Sequence, residues 1–203
     1  MNKIMFNTKY GLEQAVLEER KTQTRRVITL NLYNRIDWKA FEEGDYFCLI
    51  TDDPWDDYDI RDQGQYRVGD VVAIAQSYKE VVGNRAWLVS TDDGHSLHRN
   101  ASMNDAGWNN KMFVQAQYMP HHIKITDIKV ERLQDISDED CLKEGICKAY
   151  HSGVGRWYYL MTENNVYFSA PREAFAALID KTSGKGTWDK NPYVFVYDFV
   201  LID

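Results

Sequence analysis

The chain is poor in what secreted, membrane-spanning and metal-bound proteins need. It has three cysteines, Cys48, Cys141 and Cys147, an odd and sparse set that reads as reduced thiols in a cytoplasm. No apolar run approaches the roughly 20 residues of a transmembrane helix. The opening stretch from Met1 to Thr8 has no long apolar centre and no small-residue cleavage site, so no secretory leader is expected. The histidines do not combine with the cysteines at zinc spacing. His95 and His98 are three apart in a polar loop and His121 and His122 are adjacent, so neither a metal nor a cofactor is expected. The chain also lacks a positive balance. Its formal net charge is -7, which argues against a protein that coats duplexes with a broad basic face. There is no internal repeat and no low-complexity tract. The aspartate-dense stretch from Ile50 to Asp59 has neither the spacing nor the glycine of an EF-hand loop. Ser183-Gly184-Lys185-Gly186-Thr187 has the wrong glycine spacing for a phosphate loop and follows a helix instead of preceding one.

What is abundant is aromatic: 13 Tyr and 6 Trp in 203 residues. That favours β-structure and allows base stacking. The length suits one domain with elaborations, or one domain and a small second lobe. Lys3 to Asn7 reads as an opening strand, and Asn7 or Thr8 as the cap of a helix reaching about Glu19, with Leu12, Ala15 and Val16 on one face. The closing strand is Tyr193 to Leu201. Between them lie a nearly continuous apolar strand from Val71 to Ala75 and an alternating strand from Ile123 to Glu131. The parity of that second strand changes between Ile125 and Ile128, which predicts a bulge near Thr126-Asp127. Ser137 caps a short helix that stops at Gly145. Pro171 opens the last helix, with Phe175, Leu178 and Ile179 on one face. Residues 30 to 65, 83 to 111 and 147 to 169 read as insertions. The second contains a hairpin or long loop around Asp92-Asp93-Gly94.

One stretch stands against the acidic background. Arg20, Lys21, Arg25 and Arg26 crowd into seven residues where the first helix gives way to a strand. The plainest reason for such a cluster is an anion held nearby, and the plain alternative is a solvated turn neutralised by Glu18 and Glu19.

The run Arg20-Lys21-Thr22-Gln23-Thr24-Arg25 after a short helix resembles the Gly-x-Lys-x-x-Glu-x-Arg signature of activating-signal-cointegrator homology (ASCH) domains, members of the PUA-like β-barrel superfamily. Arg20 replaces the usual glycine, and Arg25 stands where many members have glutamate. Longer members similar to phage-encoded proteins carry a run like Val130-Glu131-Arg132-Leu133-Gln134-Asp135-Ile136. They also carry a pattern matched here by Gly186, Trp188, Asn191, Pro192, Val194 and Val196. The resemblance implies an α+β fold: a PUA-like β-barrel with flanking helices and long loop insertions, one domain over 1–203. It implies a phage-related cytoplasmic protein that binds RNA or a modified nucleoside or nucleotide in a basic cleft.

One branch of the family is similar to amidohydrolases that deacetylate N4-acetylcytidine. By that resemblance Lys21 would be the proton acceptor, Thr24 the nucleophile and Glu144 the proton donor. The chemistry has its own logic, since a threonine hydroxyl needs an adjacent base. Lysine can be that base only when desolvation and nearby cations lower its pKa. A turn that holds phosphate without turnover is the alternative for Lys21 and Thr24. An exposed helix residue paired with Lys148 is the alternative for Glu144. For anion or nucleic-acid contact the candidates are Arg20, Arg25, Arg26 and Tyr78, with Trp157 and Tyr158 as further stacking candidates. If the site turns over, Lys21→Ala and Thr24→Ala are each expected to abolish deacylation with stability nearly intact. Composition names neither the ligand nor the oligomeric state.

Overall fold

The computed structural model describes residues 1–51, 58–83, 87–90, 97–153, 155–161 and 166–202. β1 (Asn2–Ile4) leads through a 3-10 turn, Thr8–Tyr10, to α1 (Leu12–Leu17), and β2 (Gln23–Val27) follows. The first expected insertion holds α2 (Leu30–Tyr33), α3 (Trp38–Glu42) and a 3-10 turn, Ile60–Gln63. β3 (Val71–Ile74) precedes α4 (Tyr78–Val82) and the antiparallel pair β4 (Trp87–Ser90) and β5 (Leu97–Asn100). Then come β6 (His122–Arg132), α5 (Asp138–Lys143), β7 (Cys147–His151), β8 (Arg156–Leu160), β9 (Tyr167–Phe168), α6 (Pro171–Ser183), α7 (Thr187–Lys190) and β10 (Tyr193–Leu201). The expected turn at Asp92-Asp93-Gly94 lies outside the described residues.

The architecture is mixed α+β. Five strands make one sheet in the order β1-β3-β6-β10-β2, antiparallel throughout except for the pair β1 and β3. β10 lies between β6 and β2, and successive residues from Tyr193 to Tyr197 are all buried. A strand covered on both faces has to be apolar at every position, which is why Tyr-Val-Phe-Val-Tyr does not alternate. β6 alternates because one face is wetter, with Ile123 and Ile125 buried and Lys124 exposed. The expected bulge is there. Asp198 pairs with Asp127 but Phe199 pairs with Ile125, so Thr126 is the extra residue, and Ile128 and Val130 return to the core.

The first helix is shorter than its periodicity suggests. Gly11 sits at φ 62 and separates the 3-10 turn from α1, because a left-handed residue cannot continue a right-handed helix. α4 was not visible in the hydrophobic pattern. It is set by a capping box: the Ser77 hydroxyl accepts from the Glu80 N–H, and the Glu80 carboxylate accepts from the Ser77 N–H. The third expected insertion carries an antiparallel three-stranded sheet of its own, β7-β8-β9. A second, smaller core joins Ala73 and Ala75 to Tyr78, Val82, Ala101, Val114 and Met119, so the second insertion is packed through β3. Among the described residues no helix is long and apolar enough to cross a membrane.

Candidate functional site

α5 is what brings Glu144 to the basic stretch. The Ser137 hydroxyl accepts from the Asp140 N–H at its start, and at its end Gly145 adopts φ 100. A Cβ on Gly145 would lie 3.2 Å from Leu12 Cδ2 and 3.5 Å from Lys21 Cδ. Glycine is required there for its conformation and for the room it leaves to the lysine stem. The Thr22 N–H donates to the Lys143 carbonyl, 2.9 Å, and clips the basic turn to the helix end.

The result is a buried ionic cluster. Lys21 is 2% exposed and Glu144 4%. Lys21 Nζ donates to Glu144 Oε2 at 2.6 Å, to the Glu144 carbonyl at 2.9 Å and to the Gln23 carbonyl at 2.7 Å. Glu144 Oε1 accepts from Arg25 Nη1 at 3.0 Å. Arg25 also donates to Gln23 Oε1, and through Nε and Nη2 to Glu131 Oε1. Burial pushes the Lys21 amine below its ordinary pKa, and Arg26 and Arg25 act in the same sense while Glu144 opposes them. Burial also works against the Arg25 charge, but Glu144 and Glu131 outweigh it and hold the guanidinium above its usual value. Cys141 is buried beside the cluster with its thiol pushed up to about 12 by desolvation, which makes it inert as a nucleophile.

A cavity of about 520 Å³ opens against this cluster. Lys21, Thr24, Arg25, Arg26 and Glu144 all line it, so five of the residues chosen from sequence share one site. Phe6, Leu12, Phe175, Leu178 and Ile179 supply the apolar part of the lining. β2 is an edge strand, so the cavity takes side chains from both of its faces. The Gln23 carbonyl points away from β10, because it accepts from Lys21. Thr22 and Ile28 bond to β10 instead. Alternation along the strand therefore turns the Arg25 N–H and C=O to the open edge.

The cations divide sharply in what they can still do. Lys21 has all three protons engaged. Lys111, a lining residue that no motif or spacing singles out, donates to the Phe6 carbonyl, Thr8 Oγ1 and Glu13 Oε2. Arg25 is committed to carboxylates and Gln23. Arg26 differs: its one recorded bond among the described residues runs from Nη2 to the Met5 carbonyl, 2.9 Å. The Thr24 hydroxyl and the Asn7 side-chain amide also line the cavity, with no hydrogen bond among the described residues.

Two of the expected contact residues are elsewhere. Arg20 is exposed and outside the cavity lining, with Nε on Glu18 Oε2 at 2.7 Å and Nη1 3.3 Å from Cys147 Sγ. It is partly the neutralised turn that was the alternative for the whole cluster. Tyr78 is 1% exposed in the smaller core, its hydroxyl accepting from the Gln115 N–H. The backbone of Gly107 lies so close that a Cβ there would sit 2.7 Å from the ring, and no face is left for a base. Glu144 is not an exposed partner of Lys148, whose ammonium lies over Trp157 instead. Lys21 makes three buried hydrogen bonds, so Lys21→Ala is expected to cost stability and not to leave it nearly intact.

No family model matches the chain, and no curated protein matches it. Among solved structures, the crystal structure of an ASCH domain from Lactobacillus crispatus JV V101 is similar to it. The TM-score is 0.35 and the identity 7%, over 96% of this chain and 72% of that one. A likeness this loose assigns neither function nor site residues.

Proposed function

We propose that the chain is a single PUA-like domain of the ASCH type, with three insertions, whose cavity binds a modified nucleoside or nucleotide. The carrying observation is the mixed lining of the cavity: the rings of Phe6 and Phe175 together with polar groups of an open strand edge. Its volume suits a small molecule and not the body of a polymer. The Arg25 N–H and C=O offer a donor and an acceptor side by side, as the edge of a base or an amide requires. Arg26 supplies the cation for a phosphate. Support for the barrel comes from the two ends of the sheet. Arg26 on β2 bonds the Met5 carbonyl just past β1, and the Phe6 ring lies 5.6 Å from that of Phe199 on β10. Both contacts fit a sheet that curls until its edges approach.

A second reading, amide hydrolysis on that ligand, is favoured by the Thr24 hydroxyl, which has no hydrogen bond among the described residues and lines the same cavity as the Lys21–Glu144 contact. A proton passed across the 2.6 Å contact leaves a neutral amine and a neutral carboxylic acid. Thr24 Oγ1 then attacks the acyl carbon as Lys21 takes its proton. The C–N bond breaks as Glu144 protonates the leaving amine, and water hydrolyses the threonine ester.

Calorimetry with cytidine, N4-acetylcytidine and cytidine 5′-monophosphate tests binding, and chromatography of the acetylated nucleoside tests turnover. Saturable binding of at least one supports the first reading, and absence of binding by all three overturns it. Deacetylation that Thr24→Ala abolishes supports the second; binding with no product refutes it.

A further inference from the structure

The third insertion carries a single acidic residue, Glu163. Between Glu144 and Glu163 there is no acidic residue, although the chain holds 31 of them, while Lys148 and Arg156 fall inside that interval. The same interval supplies β7 and β8, and their register fixes which side chains share a face. Lys148 pairs with Tyr159 and Tyr150 with Trp157, so these four lie on one side of the hairpin. Tyr158 lies on the other side, its ring 5.6 Å from that of Tyr167.

The shared face is aromatic, cationic and open. Tyr150 is 55% exposed and Trp157 56%. Their ring centroids are 5.2 Å apart. The Lys148 ammonium stands 5.2 Å from the Trp157 ring and 6.0 Å from that of Tyr159. Tyr159 and Phe168 are partly buried against the main core, which anchors the inner end of the face. An indole and a phenol left half in water on an acidic protein, with a lysine held by the indole and no carboxylate within the interval, make a surface for planar groups carried on an anionic chain.

We infer that this face of the β7–β8 hairpin is a stacking platform for single-stranded RNA, with bases laid on Trp157 and Tyr150 and Lys148 beside the phosphates. Unpaired bases free to stack on aromatic side chains are what RNA loops, bulges and ends present. The platform is separate from the cavity and does not depend on the ligand assigned there. The two meet in space at the root of β7, where Arg20, next to Lys21, contacts Cys147.

The test is fluorescence anisotropy of a labelled, unstructured 12-nucleotide RNA with the full chain, titrated at low and moderate salt. The expected result is binding that weakens with salt and falls about 5- to 100-fold for Trp157→Ala, the range that removal of one stacking ring produces. Tyr150→Ala should weaken it as well, and Lys148→Gln should flatten the salt dependence. Thr24→Ala should leave it unchanged. Circular dichroism of each variant should match the parent, since the rings are exposed. Absence of binding, or binding that both aromatic variants retain in full, overturns the proposal. Tighter binding of a DNA 12-mer of the same sequence overturns the assignment to RNA. Concentration-dependent self-association that Trp157→Ala abolishes, without RNA binding, would make the face a contact between copies of the chain and also overturn it.

Discussion

Replacing Glu144 by glutamine is the most informative single change in the buried cluster. The side chain keeps its shape but loses its charge and one acceptor. In the parent, Oε2 accepts from Lys21 and Oε1 from Arg25. An amide can accept at one of these positions only, and at the other its N–H₂ meets a donor. Lys21 and Arg25 then remain buried with one counter-charge fewer, although Arg25 keeps Glu131. Breaking a buried pair in this way costs about 3–5 kcal/mol, which for a chain of this length is a fall in Tm of roughly 6–20 °C. The loss should shrink as pH rises. A neutral Lys21 amine can accept from the amide, and the amine already ionises below the ordinary lysine value. Urea denaturation followed by circular dichroism at pH 7 and pH 9.5 measures both effects. The double variant Lys21→Met with Glu144→Gln should recover part of the loss, because no unpaired lysine is left. A coupling below about 0.5 kcal/mol between the two sites, or a Glu144→Gln penalty that grows with pH, would refute the reasoning.

Thr24→Ala removes a hydroxyl without a partner among the described residues, so its stability should stay within about 1 kcal/mol of the parent in the same urea titration while any deacetylation disappears. Arg26→Gln should weaken a nucleoside 5′-monophosphate about tenfold and the free nucleoside hardly at all, read by calorimetry at fixed salt. In the parent the depressed Lys21 pKa fixes the sign of one pH effect. Between that value and the ordinary lysine value the unfolded chain binds the extra proton, so this group's contribution to stability rises with pH there and is flat below it; Lys21→Met should remove that slope. Gly64→Ala places a Cβ 2.4 Å from the Tyr197 hydroxyl, which accepts from the Gln65 N–H. It should cost about 1–3 kcal/mol by thermal melting, although the backbone angles there suit alanine.

Much of the sheet was readable because its strands are long and patterned. β10 opens with five apolar residues in a row and β6 changes parity at a single residue, so both their extents and the bulge follow from the letters. α5 was readable from its caps. Lys21, Thr24 and Glu144 could be chosen by resemblance, but nothing local said that 123 residues of separation close to 2.6 Å. The short elements escaped for physical reasons. α4 rests on a capping box with little apolar periodicity behind it, and β7 to β9 run two to five residues each. Lys111 and Phe6 were missed because a lysine and a phenylalanine carry no sign of a partner a hundred residues away. Tyr78 was misplaced because an aromatic after a strand looks the same whether it stacks on a base or fills a core.

The place of β10 in the sheet also dictates when the site can exist. β2 is held in the sheet through β10, and β10 leaves the ribosome after every other strand described here. Until it arrives, Lys21, Thr24 and Arg25 belong to a segment with no neighbour to pair with, and their charges remain in water. Glu144 has long been made by then, but the strand that carries Arg25 to it is not yet held in the sheet. The cavity is thus the product of a late step in a topology rich in distant contacts, and a nascent chain exposes neither half of it in working order. A ligand that binds only the assembled cavity would favour completed, folded chains over those still waiting for their final strand.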